Sequence, residues 1–257
     1  MKLPLLCLLA LPFLPQPARA AETWLQPDPF VAVVGDAVTV KLRLTDGKTT
    51  RDANLKPDRI LRFELVQGEK HTPLPLTSDD VTQSSVAMVE GTSVVVMETE
   101  PRHVDLPADK FAAYLREQGL TQIQAERRKR GEMQKTARED FMRCMKTLLT
   151  TDALKAPDDR PQGCPYELVL RRQVSRTLTF ETLRHGDPEP YQQVRIWNLD
   201  TGKVWKVART DKTGRLSLPV PPGRWLATST AMRRSSELQS DWRSDWASLS
   251  WQHWAKR

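Results

Sequence analysis

The sequence predicts a mainly β protein, built as two β-sandwich modules with a helical hairpin inserted between them. Three observations carry this prediction. Apolar residues alternate with polar ones through both ends of the chain, turn signals recur at short intervals between the alternating runs, and the apolar spacing becomes helical in the middle. With 28% charged and 39% hydrophobic residues, the composition fits a folded globular chain rather than a disordered or membrane-embedded one.

Met1 to Ala20 reads as a secretory signal peptide: Lys2 gives a basic start, residues 3–11 an apolar run, and Ala18-Arg19-Ala20 a small-x-small cleavage site. No other stretch approaches the roughly 18 consecutive apolar residues of a spanning helix, so a periplasmic chain with no transmembrane segment after cleavage is expected. Residues 21–104 form the predicted N-terminal module. Its strands lie at 38–44, 60–66, 84–89 and 93–98, punctuated by Asp46-Gly47, Gln67-Gly68 and Gly91.

Residues 105–150 form the predicted hairpin. Pro107 stands in the first turn of a helix that Gly119 stops. Thr121 and Gln124 make a capping box for a second, longer helix, with Ala137, Phe141, Cys144 or Met145, and Leu148 on one stripe. Residues 151–165, holding Asp158-Asp159 and three prolines, read as a linker. The C-terminal module, 166–257, takes two strands around Leu168 to Leu183 and a hairpin of 194–197 with 204–209 about Asp200-Thr201-Gly202. Further strands follow at 215–218, 224–232 and 246–251.

Formal net charge is +7, and much of the excess is local: ten Lys or Arg stand against six Asp or Glu between Asp109 and Lys146. Arg127-Arg128-Lys129-Arg130 has Glu126, Glu132, Glu139 and Asp140 close by, the pattern of a solvated helix face, and nucleic acid is not an expected partner. After cleavage two cysteines remain, Cys144 and Cys164. An even count in an exported chain favours a disulfide over a thiolate metal site or a reactive thiol.

No enzyme motif emerges. There is no G-x-S-x-G around Ser84-Ser85, and no G-x-G-x-x-G or P-loop among the eleven glycines. The acid pairs Asp79-Asp80, Asp158-Asp159 and Glu98/Glu100 read as solvated. His71, His103, His185 and His253 show no metal-ligand spacing, and Met142 and Met145 read as core. Seven of eight tryptophans fall in the last 61 residues. Trp251 shares a face with Leu249 and Ala247 and is expected in the core. Trp246 shares a face with Ser248 and Ser250 and is expected at an exposed or rim position, where it would suit a sugar ring.

Several separated motifs resemble an exported bacterial family, domain of unknown function 4198: Glu22-Thr23-Trp24-Leu25-Gln26-Pro27, Gly35-Asp36-Ala37-Val38-Thr39-Val40, Leu106-Pro107-Ala108-Asp109-Lys110-Phe111, Thr210-Asp211-Lys212-Thr213-Gly214-Arg215, and Pro222-Gly223-Arg224-Trp225-Leu226 ahead of Asp241-Trp242. The resemblance implies immunoglobulin-like modules, the second prealbumin-like over 191–231. It also implies a non-enzymatic periplasmic component of nickel or cobalt uptake, with an envelope transport component or receptor as partner and a divalent transition metal as ligand. Many members carry His at positions that Ala21 and Ala231 hold here. Candidate binding residues are therefore Glu22 and Trp24, from the N-terminal motif, and Trp246. Two further readings are a glycan or envelope-polymer binding module using Trp246, and a structural protein docking through the basic helical insertion.

Overall fold

The computed structural model describes residues 21–76, 83–152, 159–174 and 177–253. The expected signal peptide, Asp79-Asp80, Asp158 and Trp254 lie outside the described residues. Along the N-terminal half run β1 (Glu22–Asp28), β2 (Ala37–Thr45), β3 (Thr50–Asp52), β4 (Ile60–Gln67), β5 (Lys70–Pro73), β6 (Gln83–Ala87), β7 (Thr92–Thr99) and β8 (Arg102–Leu106). Helices α1 (Ala108–Glu117) and α2 (Thr121–Lys129) come next, then β9 (Ala137–Thr150). The C-terminal half contributes β10 (Tyr166–Val174), β11 (Thr177–Arg184), β12 (Asp187–Pro188), β13 (Gln193–Asn198), β14 (Lys203–Arg209), β15 (Arg215–Pro219), β16 (Gly223–Arg234) and β17 (Trp242–His253).

These strands make three sheets, and both halves of the chain share the largest. Nine strands run in the order β14-β13-β16-β17-β9-β7-β4-β5, with β8 beside the first part of β9. The halves meet where β9 pairs in parallel with β17 and antiparallel with β7. A four-stranded N-terminal sheet (β1, β2, β3, β6) covers one face, and a four-stranded C-terminal sheet (β10, β11, β12, β15) covers the other.

Alternation in β7 and β9 supplies both cores. Val95, Met97, Met145 and Leu149 pack against Leu25, Val38, Val40 and Leu42 of the N-terminal sheet. Val94, Val96, Cys144 and Leu148 pack against Leu168, Leu170, Leu178 and Phe180 of the C-terminal sheet, with Trp251 fully buried among them as expected. Each such large apolar side chain contributes about 1.5–3 kcal/mol on burial. The Cys144–Cys164 disulfide is formed and ties β9 to the lead-in of β10.

The hairpin is shorter than its apolar stripe suggested. Pro107 caps α1, and Gly119 ends it at φ +66°. Gly119 is needed for space as well as for angle, because a Cβ there would lie 2.2 Å from Gln193 Oε1. Thr121 makes no side-chain cap; Leu120 is the N-cap residue of α2, so the expected capping box is absent. Gly131, at φ +68°, follows the C-cap Arg130 and closes the end of α2, and 137–150 is strand, not helix. The physical reason is that β9 is buried on both faces through its second half, so Cys144, Met145, Leu148 and Leu149 point into two cores and leave no period of two. The expected linker is likewise partly core: Asp159 is 5% exposed and Cys164 is fully buried.

Candidate functional site

The three residues singled out by sequence converge, but inside the protein. Glu22 is 3% exposed, Trp24 2% and Trp246 7%. Trp246 is therefore not at an exposed rim. Its face of β17 lies beneath β1 and the helical hairpin, so Ser248 and Ser250 are buried with it, and Ser250 donates to the Leu25 carbonyl. Tyr114 stacks on Trp246 with ring centroids 5.5 Å apart, and the Arg143 guanidinium lies 4.7 Å from the centroid of the same Trp246 ring. No sugar can reach that ring without displacing α1.

Around this stack sits a polar interior. Glu22 accepts from Arg195 at 3.0 Å and from Gln118 at 3.2 Å, while Gln118 accepts from Thr230. Burial pushes the Glu22 carboxyl up, against the pull of Arg195. Glu139 accepts from Tyr114 at 3.0 Å and from Ser244, whose hydroxyl also accepts from Trp246 Nε1. Desolvation raises the Glu139 carboxyl to about 7 despite these hydrogen bonds. Arg143 donates to the Ala21 carbonyl at 3.3 Å, and burial lowers its guanidinium from the usual value. Among the described residues no carboxylate comes within ion-pair distance of Arg143.

Arg143 is also where this interior opens to solvent. It forms part of the wall of a cleft of about 660 Å³ between the N-terminal sheet and the central sheet. Apolar walls come from Leu42, Leu44, Leu55 and Phe141; the cations are Lys56, Arg59, Arg102 and Arg143, against the single carboxylate of Glu100. Elements far apart in sequence supply them: the β2–β3 region, the turn Pro57–Arg59, the β7–β8 corner and β9. The Pro57 turn sets Arg59 at the start of β4, where its carbonyl accepts from the Glu100 amide at 3.0 Å and holds the two cleft walls together. Among the described residues Lys56, Arg59 and Arg102 form no ion pair; Lys56 and Arg102 are exposed and Arg59 is half-buried. Sequence reasoning missed this site because no local motif marks it.

The other sequence candidates are dispersed. His71 pairs with Glu64 at 3.0 Å on the surface. His103 pairs with Asp140 at 2.7 Å, which raises its imidazole. His185 occupies a turn at φ 50°. Met142 and Met145 lie on opposite faces of β9, and Glu98, far from solvated, is buried beside Arg62. Asp159, also expected to be solvated, is buried against Lys146. The basic run is partly structural: Arg127 is 3% exposed over the Phe111 ring, and Arg130 pairs with Glu126. Ala231 packs in the C-terminal core, whereas the Ala21 carbonyl is held by Arg143 on the other face of the central sheet. Among the described residues no three His, Cys, Asp or Glu side chains are placed to hold a metal ion, and no helix is long and apolar enough to cross a membrane.

No curated protein matches the chain. Among solved structures, the D0-D1 domain of intimin is 14% identical with a TM-score of 0.21, covering 90% of this chain and 99% of that one. Dimeric latent PorU from Porphyromonas gingivalis is 10% identical with a TM-score of 0.20, covering 94% of this chain and 21% of that one. The family profile described as a domain of unknown function, DUF4198, matches residues 18–233. The chain belongs to the DUF4198 family.

Proposed function

We propose that this protein is a non-enzymatic binding or accessory protein of the periplasm, which holds an anion with an apolar body in the cleft between its N-terminal and central sheets. The supporting observation is the cleft's charge: four cations and one carboxylate above aliphatic and aromatic walls. A volume of about 660 Å³ suits a small organic ligand. Arg143 adds a partly desolvated cation at the inner wall, and an anion arriving there recovers attraction that water no longer screens. Fixed cations beside apolar walls hold a ligand; the cleft pairs no nucleophile with a base. The expected link to nickel or cobalt uptake fits within this reading as an accessory role, since a cationic cleft accepts an anionic metal chelate and repels a bare cation.

The test uses 1-anilinonaphthalene-8-sulfonate, an aromatic anion, titrated into the mature protein. Saturable one-to-one binding is expected, falling about tenfold in Arg59→Ser/Arg102→Ser and weakening with salt, as loss of two charge contacts of about 0.7 kcal/mol each implies. Equal binding by the wild type and the double variant would sink the proposal. Nickel chloride and nickel citrate, titrated in parallel, separate the bare-cation role from the chelate role.

A further inference from the structure

On the face of β9 opposite Arg143, Lys146 is buried to 1% side-chain exposure with two carboxylates that are fully buried, Asp159 and Glu167. Its Nζ lies 3.1 and 3.2 Å from the two Asp159 oxygens and 3.2 Å from Glu167 Oε2. Nζ also donates to the Arg160 carbonyl at 3.4 Å, and the remaining contacts fix the acids. Asp159 Oδ2 accepts from the Leu170 amide at 2.8 Å, and Glu167 accepts from the backbone amides of Gln162 and Gly163. The cluster sits beside the Cys144–Cys164 disulfide, in the stretch first read as a linker. A lone ammonium between two dry carboxylates is an expensive way to fill a core, because desolvation of the ions offsets most of their attraction.

We propose that Lys146 and Asp159 condense here into an intramolecular isopeptide bond, with Glu167 as the acid–base catalyst. A proton first passes from the ammonium to Asp159, giving a neutral amine and a neutral carboxylic acid; burial, which raises the Asp159 carboxyl, favours that form. Nζ attacks Cγ of Asp159, and the Leu170 amide, already on Oδ2, stabilises the developing oxyanion. Glu167 takes a proton from Nζ and returns it to Oδ1, the Cγ–Oδ1 bond breaks, and one water leaves. Ammonium plus carboxylate become amide plus water, with no oxidant or other reactant. The held geometry supplies the effective concentration, and the product replaces two buried charges by one neutral amide.

The test is tandem mass spectrometry of the mature protein, reduced and alkylated so that the disulfide contributes nothing to the mass. The expected result is a branched peptide joining Lys146 to Asp159, lighter than its two parts by one water, in most molecules. Lys146→Arg lacks it entirely, and Glu167→Gln forms it at least about a hundredfold more slowly while keeping the disulfide that reports correct folding. Separate unmodified Lys146 and Asp159 peptides from the wild type overturn the proposal. So does a water loss confined to the Asp159 peptide, which is a succinimide, and so does undiminished linkage in Glu167→Gln.

Discussion

On one face of β9, Lys146 meets two carboxylates in a closed cluster; on the other, Arg143 stands over Trp246 with no carboxylate of the described residues in ion-pair distance and a cationic cleft beside it. The strand is the same, and so is the need to neutralise a cation away from water. What differs is what lies above. The C-terminal sheet and the disulfide-tethered lead-in close over Lys146, so its partners come from the chain itself. The N-terminal sheet stops short of Phe141 and Arg143, so the cleft there stays open and its surplus charge faces solvent. Charge that the fold satisfies internally supports structure; charge left in excess at an opening is available to a ligand.

The strongest way to break this comparison is to remove the cation from the closed face. Lys146→Met leaves Asp159 and Glu167 buried without Lys146, whether as counter-ion or as bonded partner, and is expected to destabilise by about 3–5 kcal/mol or more in chemical denaturation. A loss below about 1 kcal/mol would show that water or rearrangement reaches the cluster and that it is not closed.

A smaller effect sharpens the view of the interior under the helical hairpin. Glu139 has its carboxyl raised to about 7 by burial, so the folded protein holds a proton there that the unfolded chain releases above the ordinary Glu range. Stability from this group is therefore full at low pH and is lost as pH rises through about 7, a swing of about 3 kcal/mol at most. Glu139→Gln keeps an acceptor for Tyr114 and Ser244 and removes the titration. The variant's melting temperature should gain on the wild type between pH 5 and 8; parallel curves would mean that Glu139 stays ionised throughout.

Half-buried β2 and β4 were legible in the sequence because one face was largely polar, while β7, the β13–β14 hairpin and β16 were placed by the turn signals beside them, Gly91, Asp200-Thr201-Gly202 and Pro221-Pro222-Gly223. Strand β9 was not, since two sheets cover its two faces and leave no polar period to read. Trp246 was misplaced for the same reason. Its serine neighbours suggested solvent, but in a sheet covered on both sides a serine face can be an interior one, hydrogen-bonded to β1 and β9. The disulfide followed from counting the two cysteines that remain once the expected signal peptide is set aside. The cleft could not be read, because Lys56, Arg59, Arg102 and Arg143 become neighbours only when β2, β4, β8 and β9 are stacked; singly, each is an unremarkable surface charge.

The smallest expected effect is on the cleft side, and its smallness is what carries the comparison. Arg59→Ser/Arg102→Ser removes two cations that form no ion pair among the described residues, so stability should change by no more than about 0.5 kcal/mol per site. The change should favour the variant at low ionic strength, because Arg102 repels Arg143 across the cleft and adds a small part to the lowering that burial chiefly causes. Added salt screens the same repulsion in the wild type, so the two proteins should converge in melting temperature as ionic strength rises. A clear loss of stability would mean that these arginines serve the fold as Lys146 does, and the distinction between the two faces of β9 would fail with it.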